Sequence, residues 1–211
     1  GILLLKRNDM AVPNCASCHD NHGALPPGVR DVSSICGKCH IEIRKIFNSS
    51  VHKKAMDDRK ISECVSCHSS HFITTPDKEI YKQLCHKCHN NSSDTGYIIA
   101  NKLYDLTTSA DEKYKKLILK LDEAKRLGLD VSNYNGHLKS LYQEMIEFKT
   151  LQHGLNIIEL EDFIDKIIIE CDGISSSIEE NFQSIFFRKI YLIFIWLFFL
   201  ILIILLIIKL Q

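Results

Sequence analysis

Eight of the nine cysteines in the chain occur in pairs, and a histidine directly follows each pair. The resulting pattern, C-x-x-C-H, begins at Cys15, Cys36, Cys64 and Cys85. At this spacing two thiols form thioether bonds to one porphyrin, and the adjacent histidine ligates the iron at its centre. The four copies therefore predict four covalently bound haem c groups.

The motifs define the expected attachment residues and the first set of axial ligands. The cysteines expected to bind haem are Cys15, Cys18, Cys36, Cys39, Cys64, Cys67, Cys85 and Cys88. The histidines expected to ligate iron within the same motifs are His19, His40, His68 and His89.

Zinc is the main alternative ligand for such cysteines. Seventeen residues separate Cys18 from Cys36, and seventeen separate Cys67 from Cys85, a spacing that also suits zinc ribbons. A zinc ribbon does not need a histidine directly after each second cysteine, and a disulfide across the pair does not need one either. Because all four motifs carry that histidine, the sequence favours haem.

A period of 49 residues relates the first motif to the third and the second to the fourth. In the first motif of each repeat another histidine follows three residues later, at His22 and at His71. If the segment is helical, this second histidine lies on nearly the same side as the motif histidine and cannot reach the opposite face of the same haem. We therefore expect His22 and His71 to ligate the irons of neighbouring haems.

Two more ligands are needed if all four irons are to have histidine on both sides. His52, between the second and third motifs, is the expected third distal ligand, and its counterpart by the 49-residue period is Leu3. The fourth must then come from the helical region, from His137 or His153, and spacing alone does not decide between them. His86, enclosed within the fourth motif, is a poor candidate.

The elements that must position these residues are predicted to be all-α. Residues 1–96 contain few large apolar side chains, so we expect a tetrahaem domain with little regular structure, packed around its haems. Residues 97–184 carry apolar residues at helical spacing and predict a long helical hairpin that breaks near Gly128.

The second half of this hairpin is expected to be one helix from about residue 134 to residue 170. Gly173 and the run 175–177 (Ser-Ser-Ser) are expected to loosen the chain after it. The ninth cysteine, Cys171, is expected to be a small buried apolar residue.

Residues 185–211 are predicted to be a membrane anchor. The stretch 190–208 has no charged residue in 19 positions, and as a helix it would span about 28 Å, the hydrocarbon thickness of a bilayer. Only three residues follow it, so we expect a C-terminal anchor with the rest of the chain on one side. The opening GILLLKRND is expected to be the remnant of a leader. With 26 basic and 26 acidic residues, no nucleic-acid partner is indicated.

The chain resembles the cytochrome c3-like group of multihaem c-type cytochromes, in particular its membrane-anchored tetrahaem members. The resemblance covers most of residues 14–154 and lies in NHGALPPGVRDVSSICGKCH, SSVHKKA, CVSCHSSHFITTP, LCHKCHN and FKTLQHGLN. It implies exported electron carriers with histidine on both sides of each iron. It also implies distal ligation by His22, His52, His71 and His153, with His137 as the alternative to the last.

These features predict an electron-transfer protein of anaerobic respiration on the cytoplasmic membrane, with its haem domain in the periplasm or another extracytoplasmic space. Expected partners are membrane lipid and redox proteins on that side, with subunits of a membrane quinol oxidoreductase as a further candidate. A carrier without substrate chemistry of its own is favoured because closed iron coordination suits electron transfer. The alternatives are a haem enzyme that reduces a small nitrogen or sulfur oxyanion at an open iron, and a quinol-oxidising subunit of a membrane complex.

Overall fold

The computed structural model describes residues 13–19, 32–59, 62–69, 71 and 76–210, and all regular structure within these ranges is helical. Short helices occupy the region of the four motifs. They are α1 (Cys15–His19), α2 (Cys36–Cys39), α3 (Ile41–Ser49), α4 (Val51–Arg59), α5 (Glu63–His68) and α6 (His86–Cys88). A 3₁₀ turn, Val32–Ile35, precedes α2, and a π-helical turn, Tyr81–Cys85, precedes α6.

Three long helices follow: α7 (Thr95–Arg126), α8 (Asn135–Leu151) and α9 (Ile157–Leu210). The first connection ends α7 as predicted, with Gly128 at φ 86°. The Gly128 and Leu129 N–H groups donate to the carbonyls of Lys125 and Ala124 at 3.1 and 3.0 Å. This closes the last turn of α7 in the left-handed cap that glycine favours.

The second connection, between α8 and α9, was not predicted. The expected single helix over 134–170 is interrupted by a 3₁₀ turn, Gln152–Gly154, after which Leu155 adopts a left-handed conformation at φ 58°. Conversely, α9 continues through Gly173 and the serines at 175–177, where loosening was expected. The predicted all-α class is confirmed, and the hairpin is a set of three helical segments.

The chain divides into two compact units, residues 1–110 with 144–165, and residues 111–143 with 166–211. In the first unit the long helices bury side chains three and four residues apart, the spacing of packed helices. These are Ala100, Leu103, Thr107 and Ala110 from α7, Met145 and Phe148 from α8, and Leu160 and Ile164 from α9. The proposed domain boundaries at residues 96 and 184 stay predictions.

The second unit has the same kind of core. Its buried residues are Leu117, Leu121, Ala124, Leu129, Tyr134, Leu141, Ile167, Cys171, Ile174 and Ile178. Lys113 of α7 forms an ion pair with Asp172 of α9 at 2.8 Å, and Lys120 forms one with Glu179 at 3.0 Å. Both pairs have the same separation in the sequence, so α7 and α9 run parallel in this unit. Cys171 is buried in this core, as the sequence predicted.

The apolar part of α9 differs from these cores because its side chains face outward. Residues 191–208 are exposed, and among the described residues α9 is the one helix long and apolar enough to cross a membrane. Eighteen consecutive exposed apolar residues are unfavourable in water and suit a hydrocarbon surrounding.

The core of the first unit generates a stability prediction. Phe148 is 0% exposed, with its ring centroid 6.5 Å from that of Phe163. Phe148→Ala should therefore lower the free energy of unfolding by about 3–5 kcal/mol through lost burial and a cavity. The matched control is Ile146→Ala on the same helix, at a side chain 50% exposed, which should change it by about 0.5 kcal/mol or less. Denaturant unfolding of the detergent-solubilised protein, followed by circular dichroism, measures both, and equal shifts would contradict this packing.

Candidate functional site

Each C-x-x-C-H motif lies on a short helical turn, which brings its two thiols to the same side of the backbone. In the first and third motifs the helix includes the histidine, whereas in the second and fourth the histidine is the C-cap residue that follows the helix. The His40 N–H donates to the Cys36 carbonyl and the His89 N–H donates to the Cys85 carbonyl, both at 2.9 Å. All nine cysteines lie in the described ranges, and none forms a disulfide. The eight motif cysteines are exposed or half-exposed, whereas Cys171 is buried.

Each of three histidines from the motifs lies opposite a second histidine at nearly one common distance. The ring centroids of His19 and His71 are 6.0 Å apart, with ring planes 13° from parallel. Those of His52 and His89 are 6.1 Å apart at 25°. Those of His68 and His153 are 6.0 Å apart at 32°.

This common distance fits one metal ion between the two rings of each pair. An imidazole nitrogen binds a first-row metal ion at about 2 Å, so two ligands on opposite sides place their nitrogens about 4 Å apart and their ring centroids about 6 Å apart. Direct stacking brings rings closer, as with His86 and Tyr97, whose centroids are 4.3 Å apart. Among the described residues no three His, Cys, Asp or Glu side chains gather as they would around zinc.

The pairs join different segments of the chain. His71 faces His19 of the first motif, although it follows His68 by only three residues. His153 of the turn Gln152–Gly154 faces His68 of the third motif, and His52 of α4 faces His89 of the fourth. His22, the remaining expected ligand, lies outside the described residues.

The two helical-region candidates lie in different settings. His153 is brought to a motif histidine, whereas the His137 side chain is 64% exposed and lies 3.5 Å from Glu170. His86 is not paired with another histidine in this part of the chain. Its Nε2 atom is buried without a hydrogen-bond partner among the described residues, and its ring stacks on Tyr97.

The protonation of the paired histidines suits metal binding. Burial, the larger cause, and the nearby His89 lower the pKa of His52, and burial likewise lowers the pKa values of His68 and His153. His40 also lowers the pKa values of His68 and His153, so it lies close to that pair. A neutral imidazole is the form that ligates metal, because a protonated ring has no free nitrogen lone pair.

Two of these histidines are held through Nδ1, which leaves Nε2 as the free nitrogen. The Nδ1 atom of His89 lies 2.8 Å from an oxygen of Asp94, and this hydrogen bond lowers the pKa of the Asp94 carboxyl. The Nδ1 atom of His153 lies 3.1 Å from the Thr150 carbonyl oxygen. Such bonds fix the orientation of a ligand ring.

The turn that carries His153 is anchored on both sides. The buried Gln152 amide donates to the Thr107 hydroxyl at 2.8 Å, and its carbonyl accepts from the Tyr81 hydroxyl at 2.6 Å. Beside it, a Cβ on Gly154 would lie 3.1 Å from a methyl carbon of Ile46. These contacts hold the turn against α3 and α7.

The second and third motifs are in contact. The thiols of Cys36 and Cys64 hydrogen-bond to each other, which raises the pKa of Cys36 and lowers that of Cys64. Glu63, just before Cys64, is 2% exposed and forms ion pairs with Arg44 and, at 3.3 Å, with Lys53. The Arg44 side chain lies over Gly37, where a Cβ would be 2.7 Å from its Cγ.

Sequence analysis missed these supporting residues. A charged side chain next to a motif has no recognisable spacing of its own, and Arg44 and Glu63 are nineteen positions apart. Asp94 had one local signal, because Asn91-Ser-Ser-Asp94-Thr-Gly96 has the composition of a helix N-cap.

Comparison with known proteins finds one family model that matches part of the chain. The model of the doubled CXXCH motif matches residues 8–45, which contain the first two motifs. No curated protein and no solved structure matches the chain. The matched pattern indicates covalently bound haem c and a multihaem c-type cytochrome with a role in electron transfer.

The buried Glu63 carboxylate generates a second prediction. Glu63→Ala leaves Arg44 and Lys53 without their shared partner, and each lost bond to a charged group costs about 1.5–3 kcal/mol. The holo protein should therefore unfold at lower denaturant concentration. Glu42→Ala is the control, because Glu42 is 70% exposed and 3.8 Å from Lys45, an exposed pair that contributes about 0–1 kcal/mol. Equal unfolding midpoints for the two variants would contradict a stabilising role for Glu63.

Proposed function

We propose that the chain is a membrane-anchored electron-transfer protein that carries four haem c groups and relays electrons between redox partners outside the cytoplasm. The main observation in support is the set of three histidine pairs with ring centroids about 6 Å apart. In each pair one histidine belongs to a C-x-x-C-H motif and the other belongs to a different segment. That is the arrangement needed for two axial ligands on one tethered haem.

The pairs support a proposed set of histidine ligands for three haems. The haem on Cys15 and Cys18 takes His19 and His71. The haem on Cys64 and Cys67 takes His68 and His153.

The haem on Cys85 and Cys88 takes His89 and His52. The remaining haem, on Cys36 and Cys39, takes His40 and His22, an assignment by elimination, because the other three expected distal histidines face other motifs.

When bound, each haem supplies a one-electron ferric–ferrous couple. The residues of the chain hold and insulate that couple. The paired thiols would tether the haem covalently, and the two imidazoles would ligate its iron and leave no position on it for a substrate. Hydrogen bonds at Nδ1 fix the rings of His89 and His153. These rings would therefore move little when the iron gains or loses an electron.

The exposed apolar side chains of the motif region support haem as a packing partner. Ile41 is 63% exposed and Val51 is 75% exposed, and each directly follows or precedes an expected ligand, His40 or His52. A large apolar macrocycle on these histidines would cover both side chains and supply the burial that the sequence lacks.

Neighbouring motifs support transfer between haems. The Cys36 and Cys64 thiols are close enough for each to shift the pKa of the other, and His40 lowers the pKa values of His68 and His153. The Cys67 thiol is likewise close enough to Cys88 for the two charges to interact. With haems attached at these cysteines, the second haem would lie beside the third and the third beside the fourth, so an electron would not need to cross a wide stretch of protein.

The proposed location follows from chemistry and length. Thioether attachment of haem c takes place outside the cytoplasm, and α9 is long and apolar enough to hold the chain in the cytoplasmic membrane. Anaerobic respiratory partners on that side, including quinol oxidoreductase subunits, are the proposed donors and acceptors.

The proposal is tested by mass and spin state together. The denatured mature protein should weigh four haems more than its polypeptide, and the resting holo protein should give only low-spin ferric signals by electron paramagnetic resonance. A mass without haem would refute the proposal. A high-spin component in a four-haem protein would instead indicate an open iron and favour the enzyme alternative.

The two histidines of the helical region give a paired variant test. His153→Ala removes the imidazole opposite His68, so the haem on Cys64 and Cys67 should become high-spin, and added imidazole should restore the low-spin signal. His137→Ala, at an exposed side chain in the other unit, should leave every haem low-spin. The reverse result, high-spin haem from His137→Ala alone, would overturn the assignment.

A further inference from the structure

The start of α7 holds His89, one of the paired histidines, through a carboxylate. One oxygen of Asp94 lies 2.8 Å from Nδ1 of His89, and the other accepts the Gly96 N–H at 2.9 Å. The Asp94 N–H in turn donates to the Asn91 carbonyl at 2.9 Å. The carboxylate is therefore fixed at both oxygens, between the helix terminus and the imidazole.

Gly96 makes room for the ring that Asp94 holds. A Cβ at this position would lie 2.2 Å from His89 Nδ1 and 2.4 Å from Cε1, distances that atoms do not reach. The helix terminus thus comes against the imidazole closely enough that only glycine fits. This close approach and the carboxylate together fix the direction of the ring, and its remaining nitrogen, Nε2, is free to ligate.

The hydrogen-bond partner of His153 differs in charge from that of His89. His153 Nδ1 faces the neutral Thr150 carbonyl. In the described part of the chain, His89 is the motif histidine with a carboxylate at ion-pair distance. A carboxylate draws the Nδ1 proton more strongly than a carbonyl does, and it makes Nε2 a stronger electron donor to a metal.

We propose that Asp94 is a positioning residue that lowers the reduction potential of the haem on Cys85 and Cys88. The proposal rests on the proposed function, in which His89 and His52 ligate that iron. A more basic axial ligand stabilises the ferric state, which carries one more positive charge than the ferrous state. Asp94 adds a fixed negative charge with the same effect. The fourth haem is then biased toward giving up its electron to a neighbour.

The test is a spectroelectrochemical titration of the full-length holo protein in detergent. Asp94→Asn keeps the size of the side chain and removes its charge. At a fixed electrode potential the ratio of reduced to oxidised fourth haem should rise about tenfold, a shift of about 59 mV for one electron. The reduction potential of one of the four titrating components should rise, and all four haems should stay low-spin.

Asp77→Asn is the matched control. Asp77 lies before the fourth motif, accepts the N–H of the residue two positions on as Asp94 does, at 2.9 Å from Glu79 N, and loses one negative charge in the same change. Asp77→Asn should leave the reduction potentials of all four haems unchanged. If Asp77→Asn shifts a component as far as Asp94→Asn does, or if Asp94→Asn shifts all four equally, general charge is responsible and the proposal is wrong.

Asp94→Ser separates the electronic role from helix capping. Serine retains an acceptor for the Gly96 N–H but provides no carboxylate for His89. The same upward shift in this variant supports the proposal, and an unshifted low-spin haem in both Asp94 variants overturns it. Failure of the proposed function would be visible separately, as missing haem mass or high-spin haem in the unaltered protein.

Discussion

The spacing of paired imidazoles is the constraint on which the motif region depends. Two rings whose centroids are 6 Å apart gain little from each other, so a third partner must hold them in place. Iron bound from both sides would do so, and it would also join segments that are distant in the sequence. Such a cross-link acts as a disulfide does, because it restricts the unfolded chain.

The motif region needs that help because its own core is small. Among the described residues before 91, Ile35 is the one buried apolar side chain, and the other buried residues are Ser33, Ser50 and Glu63. Short helices with so little burial are marginal on their own. Haems, not side chains, are the natural core for such a fold, and the buried ion pairs of Glu63 then orient the segments around them.

The sequence predicted the chemistry better than the connections between elements. Haem attachment is local, so five adjacent residues are enough to predict it. The expectation that His71 serves a neighbouring haem assumed a helix through His71, whereas α5 ends at His68 and Ser69 has φ 65°. The continuity of α9 through Gly173 could not be read in this way. Buried residues at heptad spacing on both sides of it, such as Ile167 and Ile174, outweigh a propensity cost of about 1 kcal/mol for glycine.

The break at Gln152–Gly154 shows the opposite balance. Gly154 is a local stop signal, but Gly173 shows that a glycine alone does not end a helix in this chain. Tertiary contacts favour the break, since Gln152 is satisfied by Thr107 and Tyr81. The same contacts set His153 at the end of a helix, where it can project toward His68.

If all four irons have the same pair of axial ligands, ligand identity cannot order their potentials. The order must then come from what surrounds each imidazole: its burial, its charged neighbours and its partner at Nδ1. The pairs already differ in these respects, since His153 is held by a backbone carbonyl and His89 by a carboxylate. A protein built from repeated motifs with one ligand type can therefore still direct electrons, because the residues between the motifs are not repeated.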